Sequence, residues 1–325
     1  MAVFIDLVLL GMLAITALRV IFLKDLFAVV MLFGIYSFIS ALVFVNLDAV
    51  DVAFTEASVG AGISTMLMLG TLALTGRKEK ESDHKKLLPL VVVVVTGAAL
   101  IYGTLDMPPF GDPNNPAQQH VAPRYIQDSP QEIGLPNMVT SVLASYRAFD
   151  TLGETAVVFA AAIGVFSLLG LPKQERGAIK SGLQSHLVLR VVAKLIIPLI
   201  ILFALYVQFH GDYGPGGGFQ AGVIGAAAII LYTLVFGLPM ATSVIGPNAL
   251  KVLVALGVLI YAGTGVASFF LGANFLDYNV LASDPVAGQH IGIILIELGV
   301  GITVFASMLS IFYAFAGQAE RKNIP

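Results

Sequence analysis

The chain has 325 residues, of which 58% are hydrophobic and 11% charged, with a formal net charge of −3 and no cysteine. Soluble domains run at roughly 25% charged and under half apolar, so a water-soluble fold is excluded. The missing thiols exclude disulfides, thiolate zinc sites, cysteine nucleophiles and cysteine-ligated haem or iron–sulfur centres from this chain, and basic residues that are not gathered on one surface argue against a nucleic-acid partner.

A membrane-crossing helix needs about 20 mostly apolar residues. Windows of that kind fall near 3–22, 26–45, 50–74, 87–105, 151–171, 187–208, 219–239, 249–271 and 289–316, predicting an all-α polytopic membrane protein of about nine transmembrane helices. The opening MAVFIDLVLL lacks a basic region and a small-residue cleavage site, so no cleaved signal peptide is expected. Residues 1–105 form a four-helix module and 106–137, rich in proline and polar residues, an irregular extracytoplasmic loop. Residues 138–171 hold an amphipathic approach and the fifth span, and 187–325 a second four-helix module.

Lysine and arginine collect on the cytoplasmic side of short loops. With the N-terminus outside and the C-terminus cytoplasmic, the inner loops and tail hold Lys24, Arg77, Lys78, Lys80, Lys85, Lys86, Lys173, Arg176, Lys180, Arg321 and Lys322. Arg19, Arg190, Lys194 and Lys251 sit in the inner parts of spans, leaving only Arg124 and Arg147 outside.

A charge near the bilayer centre costs from about 3 to more than 10 kcal/mol, so charges inside spans mark functional candidates. In the third span Glu56 lies about two turns in, with Gly60, Ile63 and Gly70 on roughly its face. It reads as a protonatable or cation-binding carboxylate, or as a protonated one bonded to a neighbouring helix. Asp48 and Asp51 precede it as solvated helix-end acids. Ahead of the fifth span Arg147, Asp150 and Glu154 share one face and can pair along it, either anchoring the helix end or delivering cations to Glu154.

In the sixth span His186, Arg190 and Lys194 climb one face from the cytoplasm. Lys194, the deepest, either serves a proton relay or snorkels, and Pro198 frees backbone carbonyls nearby. The segment HGDYGPGGGFQAG, with Gly214, Pro215, Gly216, Gly217, Gly218 and Phe219, lacks the Lys-Ser/Thr of a phosphate loop. It reads as a tight or re-entrant turn whose carbonyls can line a polar path. In the ninth span Glu297 lies about two turns in, with His290 on the same face, either as a capping residue or as a proton donor from outside. The five histidines form no metal-ligand cluster, and no nucleophile–base pair is present, so no enzymatic activity and no cofactor or metal are expected in this chain.

Several stretches resemble known membrane proteins. DVAFTEASVGAG resembles the C-terminal part of the large A-type component of Mrp antiporters and the small membrane subunits of archaeal membrane-bound hydrogenases. SYRAFDTLGETAV resembles the pattern DFRGFDTLGE of the same A-type component, with Ser145, Tyr146 and Ala148 as departures. LRVVAKLIIPLIILFALYVQFHGDYGPGGGFQAGVI and GQHIGIILIELGVGITV resemble the B-type component, the MnhB/MrpB family. The resemblance implies an A-type tail over 1–171 fused to a B-type module over 187–316. It further implies a non-catalytic, multi-pass subunit of the cell (inner) membrane in a hetero-oligomeric Na+/H+ antiporter, with large proton-channel subunits and small membrane subunits as partners. Glu56, Asp150, Glu154, Lys194 and Glu297 are then the ion-path candidates, and Na+ and H+ the transported ions. The same module in a redox-driven pump such as a membrane-bound hydrogenase, or as a spacer without an ion path, are the alternatives.

Overall fold

The computed structural model describes residues 2–79, 87–109, 111–172 and 186–322, and secondary structure among them is helical, with one isolated bridge between Asp25 and Lys78. Lys80, Lys85, Lys86, Lys173, Arg176 and Lys180, which carry much of the charge asymmetry behind the expected orientation, lie outside the described residues, as do the side chains of Arg321 and Lys322.

Among the described residues nine helices are long and apolar enough to cross a membrane. They are α1 (Ala2–Phe22), α2 (Leu26–Asn46), α3 (Val50–Thr75), α4 (Leu87–Thr104), α5 (Ala148–Leu169), α6 (Leu187–His210), α7 (Gly218–Phe236), α8 (Pro247–Phe270) and α9 (Pro285–Lys322). All nine expected spans are present, and the largest differences at their starts have local causes. The α9 helix begins at Pro285 rather than near 289 because Asp284 accepts the Ala287 amide and proline suits a first turn.

Two features depart from the expected regularity. The α3 span is α-helical over Val50–Glu56 and Thr65–Thr75 but π-helical over Ala57–Ser64. The wider turns rotate its second half, so the single face expected for Glu56, Gly60, Ile63 and Gly70 is split. Gly60 abuts Ser37 of α2, where an added Cβ would lie 2.6 Å from the hydroxyl, whereas Gly70 lies against Phe315 of α9. The expected irregular loop is in turn wound into short helical turns, including Pro116–Gln119, Ser129–Glu132 and Met138–Ser141. Tyr146 donates to Glu132, which also pairs with Arg124 at 3.2 Å. Burial, reinforced by that bond, pushes the Tyr146 phenol up to about 12.

At the opposite end of the bundle Asp25 caps α2 by accepting the Phe27 amide at 3.0 Å, and Arg77 from the end of α3 grips the same carboxylate at 2.8 Å. The Arg77 hydrogen bond holds the Asp25 carboxyl below its usual range. The α9 helix is the hub, packed against α3, α5, α7 and α8. Backbones there approach closely, since a Cβ on Gly257 of α8 would fall 2.5 Å from the Gly299 carbonyl of α9. Tyr261 of α8, fully buried, donates its hydroxyl to the Ala148 carbonyl at 2.7 Å and so positions the start of α5. By contrast α1 and α4 bury none of their spanning residues against the chain.

Candidate functional site: an intramembrane carboxylate cavity

A cavity of about 490 Å³ opens between α3, α5, α7 and α9 under residues 139–144. Three acids line it, Asp51, Glu154 and Glu297, together with Thr55, Thr140 and Gln220, and no lysine, arginine or histidine is among the described lining residues. The polar groups are pre-ordered. Gln220 donates to the Thr55 hydroxyl at 2.7 Å, and Asp51 accepts the Gly216 amide at 3.1 Å.

The connection between α6 and α7 shapes this site. Gly217 has φ 118°, a backbone conformation open to glycine and costly for other residues. Its amide donates to the Val207 carbonyl at 3.0 Å, folding the connection back on α6. The α7 helix therefore starts against Glu297, which lies about 18 Å along α9 from Pro285. Gly211 and Gly217 flank that carboxylate, and a Cβ on either would stand 3.2 Å from one of its oxygens. Gly218 touches the Glu297 backbone, where a Cβ would lie 2.1 Å from the carbonyl oxygen. The amino end of α7, with its partial positive charge, thus faces the acids.

The glycine segment was expected to offer carbonyls. Instead, Asn137 donates to the carbonyls of Gly211 and Gly214, both at 2.9 Å, and Thr140 donates to Gly211 at 2.6 Å, so these acceptors are occupied. The cavity receives Gly216, Gly217, Gly218 and Phe219, while Gly214 and Pro215 lie behind it, Gly214 beside His210.

The structure brings together only part of the expected set. Glu154 and Glu297 share the cavity, joined by Asp51, which is half-buried rather than a solvated helix-end acid. Asp48 is exposed, as that reading had it. Asp150 is exposed and paired with Arg147 at 2.6 Å, one turn from Glu154. Glu56 points to the α2–α3 contact beside Gly60 and Ser37 and is not a lining residue. His290 is half-buried near Gly134 and interacts with Asp212, which adjoins Gly211. Lys194 is exposed on the outer side of α6, away from the cavity. Sequence reasoning singled out neither Asp212 nor Thr55 and Gln220. Asp212 sits inside the glycine motif and was legible there as its one acid.

Three family models match consecutive parts of the chain: MbhD, one of the MBH subunits, over residues 11–77; MbhE, another of the MBH subunits, over 85–186; and "Domain related to MnhB subunit of Na+/H+ antiporter" over 188–310. A probable K(+)/H(+) antiporter A/B fusion subunit of Rhizobium meliloti (strain 1021) is 26% identical, over 90% of this chain and 32% of the relative. A putative antiporter subunit mnhB2 of Staphylococcus aureus (strain Newman) is 32% identical over 41% of this chain and 96% of the relative. Among solved structures, the Mrp complex from Dietzia sp. DQ12-45-1b matches with a TM-score of 0.74 and 26% identity, covering 98% of this chain and 35% of that one. The membrane-bound sulfane sulfur reductase, an archaeal respiratory membrane complex, matches with a TM-score of 0.54 and 30% identity, covering 71% of this chain and 97% of that one. The chain therefore spans about a third of the length of the Rhizobium relative and of the Dietzia chain. With nine apolar helices and a near end-to-end match to the Staphylococcus subunit, this multi-pass cell-membrane protein belongs to the Mrp/Mnh family of cation/proton antiporter subunits, transporters rather than enzymes.

Proposed function

We propose that the chain is a non-catalytic membrane subunit of a multi-subunit Mrp-type Na+/H+ antiporter, and that the cavity lined by Asp51, Glu154 and Glu297 is its share of the ion path. The observation that carries this reading is the meeting of three carboxylates from three helices in one intramembrane cavity whose described lining offers no basic side chain. Isolated charges at that depth are costly unless they face protein or water and serve a path. A carboxylate accepts either a proton or a cation, and the oxygens of Thr55 and Gln220 add neutral ligands suited to a hard ion. Asp150 would gather cations at the rim, Glu56 would titrate at the α2–α3 contact, and His290 with Asp212 would lead from the glycine-loop end, taken as the outside. Other antiporter subunits, including the large proton-channel subunits, are the partners of this reading.

The test is Na+-dependent proton transport in inverted vesicles holding the whole assembly. Glu297→Gln and Glu154→Gln each abolish exchange while the complex stays intact. Unchanged exchange in both variants leaves a spacer role and removes the ion path from this chain. A second reading, the same module in a redox-driven complex, is supported by the match that covers 97% of the sulfane sulfur reductase chain. In that case ion movement in the same vesicles follows electron donors rather than a Na+ gradient.

A further inference from the structure

The basic residue that the cavity leaves out has a second polar group at its own level. Lys194 stands about 10 Å along α6 from Leu187, and its neighbours on the same outer strip, Val191, Pro198, Leu202 and Leu205, are all exposed. The inner strip, Ala193, Ile197, Ala204 and Val207, is buried, and α6 packs on α7. Lys194 makes no ion pair among the described residues. Pro198, inside the same helix, has no N–H to give the carbonyl four residues back, which is that of Lys194 itself. An ammonium donor and a carbonyl deprived of its helical donor therefore sit together on an apolar, outward-facing strip. Lipid tails can satisfy neither group, whereas side chains on a neighbouring helix can satisfy both. Arg190, one turn nearer the helix start, is placed to reach the headgroups, but Lys194 is a turn deeper.

From this placement we infer that the Lys194 strip of α6 is a docking face for a transmembrane helix of another subunit, one that carries a carboxyl group at the level of Lys194. Charge complementarity selects that partner. A second copy of this chain would bring another lysine to the contact, and like charges repel. The proposal rests on the reading of the chain as part of a multi-subunit membrane assembly, and it gives Lys194 a role in assembly instead of the ion path.

The test places photoreactive benzoylphenylalanine at Val191, one turn from Lys194, in membranes holding the complete assembly. Illumination yields a crosslink to a different membrane subunit. Lys194→Glu reduces that product by about tenfold, equivalent to losing a modest charge pair, while Lys194→Arg retains it. An unchanged melting temperature of the Lys194→Glu chain shows that the loss is not misfolding. If that variant does not fold, the neutral Lys194→Met replaces it, with the same reduction expected. A crosslink to lipid alone, a crosslink to a second copy of this chain, or a product insensitive to Lys194→Glu overturns the proposal. Glu297→Gln, assayed in parallel, separates the two ideas. If it abolishes transport and no partner crosslink forms, the docking face alone fails; if the crosslink forms and transport survives it, the ion path alone fails.

Discussion

Asp212 lies in the α6–α7 connection, and its half-burial raises its carboxyl above the usual range, with His290 opposing the shift. A raised acid favours the proton-bound folded state. Its contribution is complete below the unfolded value of about 3.9 and is lost as pH rises through the folded value. Asp212→Asn, which imitates the neutral acid, should therefore melt higher than wild type near about pH 8, with the gap closing towards about pH 4. An equal gap at both values would remove burial of the charge as its cause. The same residue marks the limit of reading sites from sequence. Glu154 and Glu297 announce themselves because their neighbours along the chain are apolar. Asp212 and Asp51 sit at helix ends, where solvation is the ordinary outcome, and only distant groups, Asn137 over the glycine loop and the Gly216 amide on Asp51, decide otherwise. Lys194 shows the converse, since its depth is legible but the direction it faces is set by how α6 packs on α7.

The helices themselves were legible because apolar length is a property of the sequence alone, whereas their contacts depend on where small residues meet. Gly218 of α7 lies on the α9 backbone at Glu297, and Gly263 of α8 has open space around its Cβ position. Both are helical glycines, so propensity alone would predict the same modest gain of up to about 1 kcal/mol for alanine at each. The contact reverses this at one position only. Gly218→Ala should lower the melting temperature, in line with overpacking costs of about 1–3 kcal/mol, and Gly263→Ala should leave it level or raise it. Thermal unfolding in detergent measures both, and a stabilising Gly218→Ala would mean that α7 and α9 do not meet there. The π-helical stretch Ala57–Ser64 was not legible at all. Its residues fit an α-helix in spacing, and the wider turn emerges only in the span packed between α2 and α9, which is why Glu56 and Gly70 part company.

For the molecule as a whole, the bundle is unevenly finished. Around α9 the helices bury one another, but α4 exposes Val92, Val93, Val94 and Val95, consecutive positions that between them point in every direction around the helix. A helix apolar on all sides suits either lipid or other subunits, and the two surroundings differ in a way that one probe resolves. The chain contains no tryptophan, so a single tryptophan at each of these four positions is an unambiguous reporter. In the isolated chain reconstituted with brominated lipid, all four should be quenched to a similar degree. In the complete assembly, quenching should fall at neighbouring positions and persist at the others if a partner covers one side of α4. Protection of any position in the isolated chain would mean that α4 already packs on its own bundle. Equal quenching at all four in the assembly would make α4 a lipid-facing helix, leaving the partners to engage the chain through other faces, the Lys194 strip of α6 among them.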